Sequence, residues 1–189
     1  MGSQGAQVTF ETDAGVAHRA AIGLIVLATD QTIEHEFRVI FKQQGVAYYE
    51  SRIPNSSQIT PETLKEMEKL IEDRTAVILP GLPLDVVAFG CTSASMVIGE
   101  EAVFTKIRAK RPDVACTTPI TAAFASFDAL GAKRIGVLTP YRQDINDFMR
   151  DYIAERGYEV PVFGSFNEEN DNIAARISAT SIHRAIARI

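Results

Sequence analysis

Two cysteines are the residues of this sequence whose type and surroundings point to covalent chemistry. Cys91 stands in Phe89-Gly-Cys-Thr-Ser-Ala-Ser, between a strand-length apolar run, Asp85–Phe89, and a helical pattern. Ligands of open α/β sheets bind at the carboxyl ends of the strands, and this turn is one such end. A thiol there faces free backbone N–H groups and the positive end of a helix dipole, both of which favour the nucleophilic thiolate. Thr92 and Ser93 add hydroxyls beside those N–H groups, so a carboxylate could dock at the same place. The other reading of Cys91 is a small buried hydrophobe. Cys116, in Val114-Ala-Cys-Thr-Thr-Pro, also ends a strand-length run. There the buried structural reading is favoured, with Thr117 and Thr118 as helix caps or anion contacts.

Two further loops are expected on the same rim. Thr29-Asp30-Gln31-Thr32 follows one apolar run, and Thr139-Pro140-Tyr141-Arg142 follows another. Tyr141 could supply a phenol as hydrogen-bond donor or proton relay, or simply pack on a helix start. Asp30 could face the cleft or cap its helix. Arg142 reads as a solvated charge. The acidic run Glu168-Glu-Asn-Asp reads as a solvated loop, and Asn172 at its end could reach the cleft or cap the next segment. His18, His35 and His183 never occur at ligand spacing with Cys, Asp or Glu, so no metal is expected. No GxxxxGK[ST], GxGxxG or GxSxG motif supports a nucleotide cradle or a serine hydrolase.

These loops need a scaffold that brings strand ends together. Ile22–Ala28, Val46–Ile53, Asp85–Phe89, Val114–Thr117, Arg134–Leu138 and Glu159–Phe166 read as strands. Helical patterns alternate with them over Thr32–Lys42, from Thr60-Pro61, over Ala94–Lys110, over Gln143–Glu155 and over Ser178–Ile189. Such alternation specifies an α/β protein with mainly parallel sheets. The series opened by Ile22-Gly23 and punctuated by Gly45 recurs about 113 residues later at Ile135-Gly136 and Gly157, the mark of a duplication. Two similar lobes are therefore expected, 20–118 and 119–189, behind a flexible arm over 1–19. By the same period the counterpart of the Cys91 loop would fall at about position 200, so the second lobe is expected to be incomplete.

Composition bounds the function. The 189 residues are 46% hydrophobic and carry a net charge of −5, which suits a globular core and argues against nucleic acid or an anionic membrane surface as partner. Two cysteines suit a reducing compartment. The longest apolar stretch is too short to span a bilayer and the N-terminus lacks a signal-peptide pattern, so a cytoplasmic location is expected.

Val86-Val-Ala-Phe-Gly-Cys-Thr-Ser-Ala-Ser, preceded by Pro80-Gly81-Leu82, resembles the first cysteine loop of the maleate cis–trans isomerase group. That group sits beside the arylmalonate decarboxylases in the aspartate/glutamate racemase superfamily. Ile22–Glu36, Ala132–Tyr141 and Asp171–Ile177 also fit its pattern, most closely that of the ectoine-utilization protein A subgroup. The resemblance implies two α/β lobes with the site between them, a small carboxylic acid as substrate, no metal or organic cofactor, and a homo-oligomer. It implies Cys91 as the thiol that adds to a substrate double bond and Tyr141 as a second catalytic group. It further implies substrate contacts from Asp30, Gln31, Pro80, Gly81, Leu82, Thr92, Ser93, Thr139 and Asn172. Family members carry a second cysteine in the second lobe, at a position Cys116 does not match. The chain by itself is therefore expected to lack the opposite acid–base partner and turnover. Asp30, where maleate isomerases are expected to carry Asn, would suit an ammonium group better than a second carboxylate.

Overall fold

A continuous apolar strand can sit only where both faces of a sheet are covered, and Ala20–Leu27 (β1) does so. In the computed structural model, which describes residues 6–189, Leu24, Ile25 and Val26 of β1 are inaccessible to solvent. β1 pairs in parallel with Val46–Ile53 (β2) on one side and Val86–Phe89 (β3) on the other, and β3 pairs with Ala115–Thr117 (β4). The order β2-β1-β3-β4 is all parallel, so every strand of this sheet ends on the same rim. Of the expected N-terminal arm, Met1–Gly5 lie outside the described residues. Residues 6–19 form no helix or strand and are mostly exposed.

The helices follow local chemistry. Ile33–Ile40 (α1) connects β1 to β2. Pro61–Glu66 (α2) starts where expected: Thr60 accepts from the Thr63 N–H at 3.2 Å while the Thr63 hydroxyl accepts from the Thr60 N–H at 3.0 Å. It continues through a tighter turn, Met67–Leu70, into Ile71–Ala76 (α3). The single helix expected over Ala94–Lys110 is two, Thr92–Ile98 (α4) and Glu100–Arg108 (α5). Gly99 breaks it at φ +97°, a conformation in which side chains are strained.

The second sheet contains Arg134–Thr139 (β5) and Glu159–Ser165 (β6), paired in parallel. Pro119–Leu130 (α6) and Gln143–Ala154 (α7) pack on it, and Asp171–Ala174 (α8) and Ala179–Ile186 (α9) follow. Each sheet has its own apolar cluster, but the clusters exchange residues. Met96 of α4 is buried in the second, and Ile145 of α7 in the first. A polar link runs alongside, with the Tyr152 hydroxyl donating to Glu100 at 2.7 Å and Arg156 pairing with the same carboxylate at 3.2 Å.

The chain after β6 crosses back to the first sheet. The Ile59 N–H donates to the Glu169 carbonyl at 3.1 Å and the Asp171 N–H to the Ser57 carbonyl at 2.9 Å. This strap brings Asp171 over the ends of β1 and β2. Among the described residues no helix is long and apolar enough to cross a membrane.

Candidate active site

Cys91 is the residue before α4, in extended conformation, directly after β3 and Gly90. Gly90 must be small: a Cβ there would stand 3.2 Å from the Ile25 carbonyl oxygen and 3.0 Å from Ile33 Cδ1. The Cys91 side chain is buried and caps the helix with sulfur, its Sγ accepting from the Ala94 N–H at 3.4 Å. The Ser93 hydroxyl lies 3.8 Å from the same sulfur, and the Tyr141 phenol lines the same cavity. Cys91, Ser93 and Tyr141 thus form one cluster, to which the first sheet supplies two members and the loop after β5 the third.

The cluster opens on a cavity of about 180 Å³. Its polar lining includes Asp30, Asn55, Gln58, Thr92 and Asp171, and its apolar wall includes Ile59, Leu64 and Met67. The loops after β1 and β5 do meet here, since both Asp30 and Tyr141 reach it. Asp30 also caps, its Oδ1 accepting from the Thr32 and Ile33 N–H groups at 2.8 Å each. The Thr29 hydroxyl donates to Asp171 Oδ2.

The electrostatics reverse one expectation. The Cys91 thiol is not activated by its helix: burial pushes it up to about 11, and the negative charges of Asp171 and Asp30 add to the rise. The Ala94 N–H and the Ser93 hydroxyl pull the other way without overcoming burial. A short capped helix supplies part of a charge at its end, whereas desolvating a thiolate is the larger cost. The Tyr141 phenol is likewise raised well above its ordinary range, by burial first and then by charge on Cys91 and Asp171. Both groups are therefore protonated at neutral pH.

Several expected contacts fall elsewhere. Pro80, Gly81 and Leu82 lie in the turn before β3, and Leu82 is 56% exposed. In a parallel sheet that turn belongs to the rim opposite Cys91, and Arg111 holds it there by donating to the Leu79 and Leu82 carbonyls at 2.9 and 2.8 Å. Thr139 is buried with its hydroxyl donating to Asn146 Oδ1 at 2.6 Å and accepting from the Tyr141 N–H at 3.3 Å, so it shapes the Tyr141 loop and does not face the cavity. Asn172 is exposed, and its neighbour Asp171 faces the cavity in its place. Gln31 reaches only the Asn172 carbonyl, at 3.5 Å. Cys116 lies within β4, opposite Val87 and away from the cavity, its thiol raised by burial. Arg142 pairs with Asp144 and Glu169 at the surface. Sequence reasoning missed Asp171, hidden in a run read as a solvated loop. It also missed Asn55 and Gln58, although the amide- and hydroxyl-rich stretch Asn55–Gln58 directly follows a strand, which is a usable signal. Among the described residues no three His, Cys, Asp or Glu side chains are grouped to hold a metal ion.

The parallel sheets, the paired lobes and the thiol on the strand-end rim define a protein with the aspartate/glutamate racemase-like fold. The chain belongs to the arylmalonate decarboxylase family, whose sequence profile matches residues 22–188. It is 30% identical over 166 residues to a maleate isomerase of Pseudomonas putida, covering 81% of this chain and 65% of that one. To a maleate isomerase of Geobacillus stearothermophilus it is 29% identical over 161 residues, covering 77% and 62%. The chain thus spans just under two thirds of the length of these relatives. Among solved structures it superposes with a TM-score of 0.79 and 19% identity on a Cys-to-Ser mutant of Nocardia farcinica maleate cis–trans isomerase carrying a covalently bound succinylcysteine intermediate. That match covers 90% of this chain and 73% of the other.

Proposed function

We propose that the cavity is the site of a cofactor-independent, cysteine-dependent isomerase of a small carboxylic acid, related in chemistry to maleate isomerisation. The observation that carries this reading is the meeting of the Cys91 thiol and the Tyr141 phenol, from different sheets, in one small cavity. The Cys91 sulfur adds to one alkene carbon of a cis acid, and the π pair moves to the other carbon and its carboxylate. The C–C bond is then single and rotates. The returning pair expels the thiolate and leaves the trans acid, so a high rotational barrier is replaced by two lower ones. Because Cys91 is protonated in the empty cavity, its proton must leave as the sulfur adds. Tyr141 keeps its own proton and acts as a donor to developing negative charge.

In the complete protein, replacing Cys91 by Ser should lower conversion of the cis acid, assayed first with maleate to fumarate, by at least ~100-fold. Undiminished conversion in that variant overturns the reading. The raised thiol gives a specific ground for the rival, a binding protein without turnover. Saturable carboxylate binding with no conversion in the unaltered protein would favour it, and release of carbon dioxide from an arylmalonate would favour the decarboxylase. A role in ectoine catabolism, a cytoplasmic location and a homo-oligomer complete the proposal. The first rests on the resemblance of the cysteine loop. The last is supported by the exposure of Ile186 and Ile189 along an apolar hollow of about 800 Å³ beside β5, and a mass by light scattering tests it.

A further inference from the structure

Glu100 opens α5, directly after the break at Gly99, and its side chain is 15% exposed. Among the described residues its hydrogen-bond donors come from the other sheet's helices. The Thr121 hydroxyl of α6 donates to Oε2. The Tyr152 hydroxyl, in the last turn of α7, donates to Oε1 at 2.7 Å, and Arg156 just beyond α7 donates to the same oxygen at 3.2 Å. These donors are themselves fixed. The Arg156 guanidinium lies 3.5 Å from the centre of the Tyr152 ring and 5.2 Å from that of Phe124, and it also donates to the Tyr152 carbonyl at 3.1 Å. The Thr121 hydroxyl is 2.8 Å from that of Thr118. Bonds to a carboxylate largely withdrawn from water are the stronger kind.

The helices tied at Glu100 are those that carry the reactive pair. Cys91 precedes α4, which passes through Gly99 into α5, and Tyr141 lies just before α7. α4 packs on α7, so the Cys91–Tyr141 meeting and the Glu100 knot stand at opposite ends of one helix pairing. They are separated by roughly 14 Å along α7 at the rise of a helix. A rigid helix that tilts at one end moves at the other, and a misplacement of about 1 Å at a reacting group is enough to slow a reaction severely. We propose that Glu100 is a positioning residue: by holding α6 and α7 against the start of α5, it fixes how closely the Tyr141 loop closes over the Cys91 thiol. The inference rests on the cavity being the reaction site and names the residue that sets its closure.

The thiol reports that closure without turnover. In a Cys116→Ser background, alkylation of Cys91 by iodoacetamide at pH 7 should rise at least ~10-fold in Glu100→Ala, because water admitted beside the sulfur eases formation of the thiolate. Glu100→Gln keeps an acceptor for Tyr152 and Arg156 and should stay within ~2-fold of the unaltered rate. Tyr152→Phe removes one donor, leaves the ring in place and should give a smaller rise; it carries the test if Glu100→Ala fails to fold. Ile78→Val trims the first apolar cluster near the rim opposite Cys91, lowers stability without touching the knot, and should leave the rate unchanged. In a Tyr141→Ala background, adding Glu100→Ala should change the rate by less than ~2-fold, since the group through which Glu100 acts is already gone. An unchanged rate in Glu100→Ala and Tyr152→Phe, an equal rise in Ile78→Val, or full additivity with Tyr141→Ala overturns the proposal. Loss of conversion in Cys91→Ser with unchanged alkylation in the Glu100 variants would sink the positioning role alone. Faster alkylation in Glu100→Ala with full conversion in Cys91→Ser would sink the covalent reading alone.

Discussion

At the scale of the residue, the decisive contest is between helix-end stabilisation of the Cys91 thiolate and the cost of burying it. Burial wins, and the sign has two consequences. Alkylation of Cys91 by a neutral reagent should be slow at pH 7, where about one thiol in 10⁴ is ionised, and should rise about tenfold per pH unit until it levels near pH 11. A plateau below pH 8 would contradict the burial argument. Folding should respond in the same direction. The thiol ionises at 9.0 when exposed and at about 11 in the fold, so between those values the unfolded chain loses its proton first. Stability therefore falls as pH rises through that window, by about 2–3 kcal/mol, and is unaffected by this group below it. Urea titrations of the protein and of Cys91→Ala at pH 8 and pH 11 should show a larger alkaline loss where the thiol is present, beyond the loss from the raised Tyr141 phenol that both share. Ser93 stands beside Cys91 at this scale as a hydroxyl 3.8 Å from the sulfur, a role a Thr-Ser pair at a helix start does not announce.

At the scale of the element, the β3–Gly90–Cys91–α4 connection is the working part. It is tight because the turn passes close to the end of β1, and Gly90 is where the backbones approach. Gly90→Ala places a methyl 3.2 Å from the Ile25 carbonyl oxygen, which belongs to the central strand and cannot retreat. We expect a loss of about 1–3 kcal/mol in stability by thermal or urea denaturation. A larger proportional loss of Cys91-dependent chemistry should accompany it, since the loop moves first. Unchanged stability would mean the turn has slack that the geometry denies. The strap from Phe166 to Asp171 is the second working element. It has little regular structure of its own, and its bonds to Ser57 and Ile59 carry Asp171 into the cavity.

At the scale of the whole molecule, the two sheets are joined by exchange of core residues. Ile145 of α7 packs in the first cluster, and Met96 of α4 in the second. Truncating Ile145 to Ala should cost about 2–5 kcal/mol and lower one shared melting transition, because both sheets lose the same anchor. Two separate transitions in the unaltered protein would contradict this coupling. The coupling matters for chemistry: Tyr141 reaches Cys91 only while the lobes keep their relative position.

The alternation of strand and helix, the parallel sheets and the Cys91 turn are local properties, and the sequence alone determines them. Ile22–Ala28 can be nothing but a strand covered on both faces, Thr60-Pro61 nothing but a helix start, and the thiol after Phe89 must lie on the strand-end rim. Whether a side chain on that rim faces the cavity depends on contacts between residues far apart in the chain. Thr139 and Asp171 show the difference. The threonine lies in a loop that reaches the site, but its hydroxyl is taken by Asn146. The aspartate lies in a run of acidic residues that reads as solvated, and hydrogen bonds to Ser57 and Thr29 turn it inward. The state of the thiol is decided the same way. Its place at a helix start is written in the order of residues, but desolvation comes from side chains that the tertiary fold packs around it. That environment, not the helix, sets its proton affinity.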